Sequence, residues 1–428
     1  MSIIKVKIFR RFFKKIDILT KMRYNISMEN IKTVIIGGGA SGLFLATALE
    51  KAGKTVLFER NDRVGKKLSS TGNGQGNITN ALASKTDYFT AQPTHTNLLV
   101  EILRAADEGA LHNDFKKMGV LLSTDERGRV YPASRQASSL TDALRFSVAQ
   151  KGVDVRLSTR VCALKKAENG FLLTVENDGN AYTVHAEKVV LCAGGKAAKN
   201  FGTDGSAYAL AQGLGHSVTP VYPSLVQLKT EVTHTKTLKG IRINDGGLTA
   251  RLPNDEKVAL RGDIIFTDYG VSGDAVFRIS AYIADKINAG VSLEIDLLPD
   301  VTEAEIAQAL QCKKSAFPDL PDGELLFGIV NNQVGRAVMK RAGGDIRKAA
   351  KLTKAFTLPV TGSLGFDYAQ VTKGGIPLSE VTRDLESRFA RGLYFAGEIL
   401  DVDGPCGGFN LQWAYSSAMC VADALNKS

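Results

Sequence analysis

Gly37, Gly39 and Gly42 stand at G-x-G-x-x-G spacing in the stretch IIGGGASGLFLATALEKAG. At that spacing the first glycine permits a tight turn, the second lets backbone approach a pyrophosphate, and the third allows close helix–strand packing. Ala40 and Ser41 fall at the start of the following helix, where unpaired N–H groups and the helix dipole favour negative charge. Glu59 is the penultimate residue of the run KTVLFER, 22 residues after Gly37. A carboxylate at that distance accepts hydrogen bonds from an adenosine ribose and repels a 2′-phosphate. The elements that position these residues are a buried strand, KTVIIG, the glycine-led helix, and a second strand ending at Glu59. Together they predict a site for an ADP-ribose-type group and leave NAD and FAD undistinguished.

Three further segments select FAD. In RNDRVGKKLSSTGNGQGNITN, Arg60, Lys66 and Lys67 bring positive charge to a loop where Gly72, Asn73 and Asn77 free backbone N–H groups and offer amides. Next, residues 153–195 read as several strands separated by NG and NDGN turns, ending in VVLCAGG. Val161 on this meander, with Ala193 and Gly194 beyond its last strand, is placed against the cofactor. The third segment begins with LYFAGE, a strand ending in Gly397 and Glu398, which could hold ribityl hydroxyls. The turn GPCGGFN then leads into a helix whose start, at Gly408, Asn410 and Leu411, points back at the turn. A helix N-terminus aimed at one edge of a flavin would favour its reduced, anionic form.

The stretches GGGASGLFLA, KKLSSTGNGQGNITN, FTDYGVSGD and AGEILDVDGPCGGFNLQWAYSSA make the chain resemble a family of bacterial flavoproteins. That family includes the bile-acid-inducible flavoprotein and the aminoacetone oxidases. The resemblance runs from about Ile31 to the C-terminus. It implies an α/β fold: a discontinuous, glutathione-reductase-like Rossmann domain for FAD, interrupted by an inserted substrate domain. Two departures stand out. Gln75 and Gly76 occupy positions where the family loop GNGRCNxTN has Arg and Cys, and Asp274 replaces the proline of FTxxGxSGPA.

The pattern places FAD-binding parts at residues 30–196 and 372–428 and the insertion at 197–371. Within the insertion, short alternating runs predict a β-barrel over about 218–298, and TEAEIAQALQ and VGRAVMKRAGGDIRKAAKL predict a helical lobe over about 300–356. A substrate is expected between flavin and insertion, since domain clefts are the usual place for ligands. Residues facing it are expected from FTDYGVSGD (Thr267, Tyr269, Ser272, Asp274), from RVYPASRQ (Arg129, Tyr131, Ser134) and from Cys406 in the glycine-rich turn. Tyr269, Ser272 and Cys406 are the catalytic candidates, with Tyr269 the expected proton donor.

The activity expected is that of an FAD-dependent reductase acting on an activated C=C bond in a small or lipophilic molecule. NADH or NADPH would supply electrons, as family analogy implies. No second G-x-G-x-x-G is present, so either the nicotinamide visits the same flavin face as the substrate or a protein partner supplies the electrons. An amine oxidase producing hydrogen peroxide is the alternative, and a flavin-binding protein of RNA modification or regulation a third. Charge argues against nucleic acid. Of the net +10, seven charges come from residues 1–27, leaving +3 elsewhere. Residues 1–29 are read as a basic extension, of which 1–27 lie outside the native protein with translation starting at Met28; the alternative is a basic amphipathic helix on a membrane surface. Five scattered cysteines without a CxxC pair fit a reducing cytoplasm and no zinc site, and the histidines lack metal-ligand spacing. No metal, no integral membrane span and no nucleic-acid partner are expected.

Overall fold

Residues 28–50, 54–82, 87–92, 95–233, 235–253 and 255–427 are described by the computed structural model. The expected N-terminal extension thus lies outside the described residues, apart from its last two positions.

The apolar run after Glu29 forms strand β1 (Glu29–Ile36), buried through Val34, Ile35 and Ile36. It turns at the glycines into helix α1 (Ala40–Ala48) and returns as β2 (Thr55–Phe58), every residue of which is buried. β1 and β2 pair in parallel, Val34 opposite Val56. Continuous burial on both faces is what a parallel strand covered by helices requires. A small antiparallel sheet follows, built from β3 (Thr79–Asn80), then, beyond helices α2 (Thr96–Ala105) and α3 (Glu108–Lys117), β4 (Leu122–Thr124) and β5 (Arg129–Pro132). Helix α4 (Ala137–Gln150) leads to β6 (Asp154–Arg156), which pairs with β2.

The predicted meander is β7 (Thr159–Ala167), β8 (Gly170–Asn177) and the twelve-residue β9 (Asn180–Leu191). β9 pairs antiparallel with β8 over its first half, then runs parallel to β1, Val189 opposite Val34. One long strand therefore joins a hairpin sheet to the parallel sheet. After helix α5 (Ser206–Gln212) the chain leaves through β10 (Tyr222–Ser224).

The insertion is a closed six-stranded barrel in the order β11-β14-β13-β12-β15-β16. Its strands are β11 (Leu228–Thr230), β12 (Arg242–Arg251), β13 (Lys257–Phe266), β14 (Gly270–Ser272), β15 (Ser292–Asp296) and β16 (Phe356–Ser363), with helix α6 (Asp274–Ile283) after β14. Helices α7 (Glu303–Ala316), α8 (Asn332–Ala342) and α9 (Ile346–Lys354) lie between β15 and β16. Thr302 and Glu305 close a capping box at the start of α7. The barrel bounds differ from the expected 218–298. β10 lies outside the barrel, and β16, beyond the helices, is needed to close it.

The chain returns through β17 (Val371–Lys373), which pairs antiparallel with β10, so exit and return form a two-stranded strap. β18 (Leu393–Phe395) then joins the parallel sheet beside β9, and the chain ends with helix α10 (Phe409–Asn426). Two large apolar cores result, with two small clusters beside them, Ala197 with Val226 and Ala369, and Leu225 with Ala281 and Val371. One gathers the Rossmann elements, α5 included; the other gathers Leu228 to Val360. The insertion proper therefore begins after α5, later than the expected Ala197, because Tyr208 and Ala211 are buried in the first core.

Candidate active site between the Rossmann sheet and the barrel

The C-terminal ends of β1, β2, β9 and β18 open on one cavity of about 1330 Å³, which barrel residues line from the other side. Ligand sites in open α/β sheets lie at these strand ends. The three glycines have separate duties there. A side-chain carbon on Gly37 would lie 2.6 Å from the Cys192 carbonyl, and its φ is +107°. One on Gly42 would lie 2.0 Å from the Gly37 carbonyl. One on Gly39 would meet nothing within 4 Å, because Gly39 faces the open cavity. The turn is closed by Gly37 and Gly42 and left bare at Gly39.

Helix α1 starts at Gly39 without a side-chain cap and without an acidic residue in its first turn. Helix α10 starts the same way at Gly408, where a side chain would collide with the Thr79 carbonyl at 2.3 Å. Two uncapped N-termini, with their unpaired N–H groups and positive dipole ends, thus reach the same cavity. A bare glycine cradle at one and a second helix start at the other suit a diphosphate and an electron-rich ring edge. The residues present fit FAD.

Of the expected cofactor residues, Gly37, Gly39, Ala40, Ser41, Glu59, Arg60, Lys66, Lys67, Gly72, Asn73, Asn77, Val161, Ala193, Gly194, Glu398, Gly408, Asn410 and Leu411 line the cavity. Gly42 and Gly397 do not; they shape it from behind. Gly397, at φ +80°, sits so close to Ser41 that a side chain would meet its Oγ at 2.6 Å. Its N–H donates to Ser417 and its carbonyl accepts from Trp413, which ties β18 to α10.

Several polar side chains hold the loops in place. Glu59 is 7% exposed, and accepts from the Gly38 N–H at 2.8 Å and from the Asn61 N–H and side-chain amide. Lys67 pairs with Glu398 at 2.7 Å, and Glu398 also accepts from the Thr372 N–H. Arg60 pairs with Asp204 and Lys66 with Asp62. Asn77 donates to the Thr79 and Val130 carbonyls, and Asn410 makes a two-way latch with the Gly404 backbone. An asparagine serves a ligand or a loop with the same amide, and its sequence position does not separate the two.

On the substrate side, Ser272 and Cys406 line the cavity and Tyr269 does not. Tyr269 sits in the turn between β13 and β14, where its carbonyl accepts from the Thr230 N–H. Tyr131 is on the wall instead, only 6% exposed, with its pKa raised by burial despite nearby Arg129. Burial, with Asp274 adding to it, pushes the Cys406 thiol up to about 11. Both are protonated at neutral pH. Thr267 and Ser134 are also off the wall, while Arg129 and Asp274 are on it. Arg127, Arg135, Arg278 and Tyr368 line the cavity too. Their sequence positions gave no sign of this, because single residues in loops or on one helix turn carry no spacing signal.

Among the described residues no group of His, Cys, Asp or Glu is arranged to hold a metal, and no helix is long and apolar enough to cross a membrane. His216, at the end of α5, is buried between Glu380 and Ser387 at 2.9 and 2.7 Å and serves the fold.

The model of the HI0933-like protein Rossmann domain matches residues 31–424. The chain is 34% identical over 411 residues to a 3-dehydro-bile acid delta(4,6)-reductase of Clostridium scindens, covering 91% of this chain and 98% of that one. It is 29% identical to a ribosomal RNA dihydrouridine synthase of Escherichia coli, covering 93% and 98%. Among solved structures, a 3-ketosteroid delta1-dehydrogenase from Sterolibacterium denitrificans shares the fold, with a TM-score of 0.51, 13% identity and coverage of 93% and 100%. With the bare glycine turn, the carboxylate after β2 and the second helix start all on one cavity, the chain belongs to the HI0933-like Rossmann family and is an FAD-dependent oxidoreductase.

Proposed function

We propose that the protein is an NAD(P)H-driven reductase of a C=C bond conjugated to a carbonyl, in a small or lipophilic substrate. The observation that carries this is the shared cavity. Barrel residues from Ser272 to Arg278 and Rossmann residues from Gly37 to Leu411 line one continuous space. A second glycine-rich nucleotide turn is absent from the sequence, so donor and acceptor would use that space in turn. Both relatives named above support the bond type. Saturating a bile-acid 4,6-diene beside a 3-oxo group, and saturating the uracil ring of uridine, each reduce a C=C conjugated to a carbonyl.

FAD, when bound, supplies the two-electron chemistry. The chain's own part is to position the substrate and deliver a proton. Tyr131 and Cys406 each hold a proton on the wall, and Tyr131 takes the place expected for Tyr269. Ser272 offers a hydroxyl to orient the carbonyl. Burial of Tyr131 shields its proton from competing water.

One observation favours a ribonucleotide substrate as a second reading. Arg127, Arg242 and Arg261 line the cavity with side chains 59%, 56% and 45% exposed, and Tyr368, 62% exposed, lines it too. Exposed cations beside an aromatic face are how phosphates and a base would be met.

Anaerobic mixing with NADH or NADPH, followed by absorbance near ~450 nm as oxygen is readmitted, tests the main reading. Rapid bleaching by one nucleotide, slow recovery in air and recovery on adding an enone are expected. Absence of bleaching, or fast recovery in air with stoichiometric peroxide, would refute it in favour of an oxidase. Salt-sensitive retention of RNA, with uridine reduction and no enone turnover, would move the assignment to the second reading.

A further inference from the structure

Four arginines from separate elements gather on the substrate side of the cavity. Arg127 precedes β5, Arg129 lies on it, Arg135 lies just before α4, and Arg278 lies on α6. Arg129 is fully engaged, holding Asp125 at 2.8 Å through two nitrogens. Arg127 and Arg278 share the single carboxylate of Asp274, at 3.7 and 3.5 Å. Those separations exceed the roughly 2.7–2.9 Å of a charge-assisted hydrogen bond, and the groups are partly solvated, so the pairing is weak and exchangeable. Arg135 forms no ion pair among the described residues. Its guanidinium stacks 4.2 Å from the centre of the Tyr131 ring, and its backbone takes φ +53°, closed by its N–H on the Pro132 carbonyl. A left-handed arginine is an uncommon arrangement, and here it aims a cation at the wall. Within this group, three guanidinium groups pair with the carboxylates of Asp125 and Asp274, and Arg135 pairs with neither.

We propose that Arg127, Arg135 and Arg278 form an anion subsite for a carboxylate or phosphate of a ligand in the substrate part of the cavity, with Asp274 as its internal counterion in the free enzyme. An incoming anion takes over the guanidinium donors that Asp274 holds loosely and completes the unpaired charge at Arg135. Asp274 stands where FTxxGxSGPA has proline, so the device comes with this chain's own departure from that pattern. The inference rests on the reductase reading only in placing the reacting bond beside this wall.

The anion could belong to the reducible substrate or to the dinucleotide donor, and calorimetric titration of the FAD-loaded protein separates them without turnover. The probes are 3-oxochol-4-en-24-oic acid, its methyl ester, and inorganic pyrophosphate. Arg135→Gln and Arg278→Gln are each expected to weaken an anionic probe by ~10-fold or more, the effect of losing one charged hydrogen bond, and to leave the ester unchanged. Asp274→Asn is expected to act in the opposite direction and tighten the same probe, which a damaged fold would not do. An effect on the acid alone assigns the subsite to substrate, and one on pyrophosphate alone assigns it to the donor. The proposal is overturned if neither anion binds the unsubstituted enzyme, if the arginine variants bind both as before, or if Asp274→Asn weakens binding as they do. Failure to reduce the enone would count against the reductase reading and leave these titrations standing.

Discussion

Glycines with identical spacing value in the sequence have opposite mutational consequences. Gly39 faces open space, so Gly39→Leu leaves the apoprotein's folding intact and fills the place of the pyrophosphate. We expect an unchanged thermal midpoint without cofactor and loss of FAD affinity by ~100-fold or more, read by flavin absorbance after desalting. A yellow variant with full occupancy would mean that the pyrophosphate lies elsewhere. Gly42→Ala puts a carbon 2.0 Å from the Gly37 carbonyl, which backbone must move to relieve. Its expected signature is loss of stability by ~3 kcal/mol or more even in the apoprotein, measured by urea unfolding. The glycine roles were legible because each follows from backbone geometry. The roles of Asn77 and Asn410 were not, since their partners at Val130 and Gly404 are set by loop folding.

At the scale of elements, legibility followed length and periodicity. β1 and β2 carry continuous apolar runs, both cofactor helices start at glycine turns, and the meander carries strands long enough to alternate between turn signals. β10 and β17 have three residues each, too few to alternate visibly, yet they are the strap between the two cores. β16 was missed for another reason: the three helices of the lobe separate it from its partner β15. The strap also carries an unusual load. Asp403, 1% exposed, accepts from Ser224 of β10, while Lys373 of β17 reaches the Ala281 carbonyl on α6. Burial raises the Asp403 carboxyl from 3.8 to about 7, with Lys373 opposing and Asp401 and Glu398 adding to the rise. The folded protein thus keeps this proton up to about pH 7, whereas the unfolded chain releases it near 3.8. Between those values unfolding releases a proton, so this group makes stability fall as pH rises, and its cost is complete above about 7. Asp403→Asn keeps the shape and removes the charge. It is expected to stabilise the protein on the order of 3 kcal/mol at pH 8 and by little at pH 4, from urea midpoints at both. Equal effects at the two values would show that Asp403 is ionised throughout.

The whole molecule is two large cores joined by that strap and by two small apolar clusters beside it, and the cofactor's elements are unevenly shared between the large cores. The glycine turn, Glu59, the ends of β9 and β18 and the start of α10 all belong to the first core, while the barrel contributes the facing wall from Ser272 to Arg278. This division was readable in outline, because the change from alternating βα units to short strands marks an insertion. Its boundaries were not, because α5 resembles neither half in pattern and joins the first core only through tertiary burial of Tyr208 and Ala211. A ligand stabilises the body that binds it in proportion to RT ln(1 + [L]/Kd), about 2.7 kcal/mol at one hundred times Kd. FAD held almost wholly by the first body should therefore raise that body's unfolding temperature and leave the barrel's nearly fixed. Calorimetry of the deflavinated protein is expected to show two transitions, of which FAD shifts one upward by on the order of 5 °C or more. A single transition moving as a whole would mean that the β10–β17 strap and the cavity walls couple the two cores into one cooperative unit.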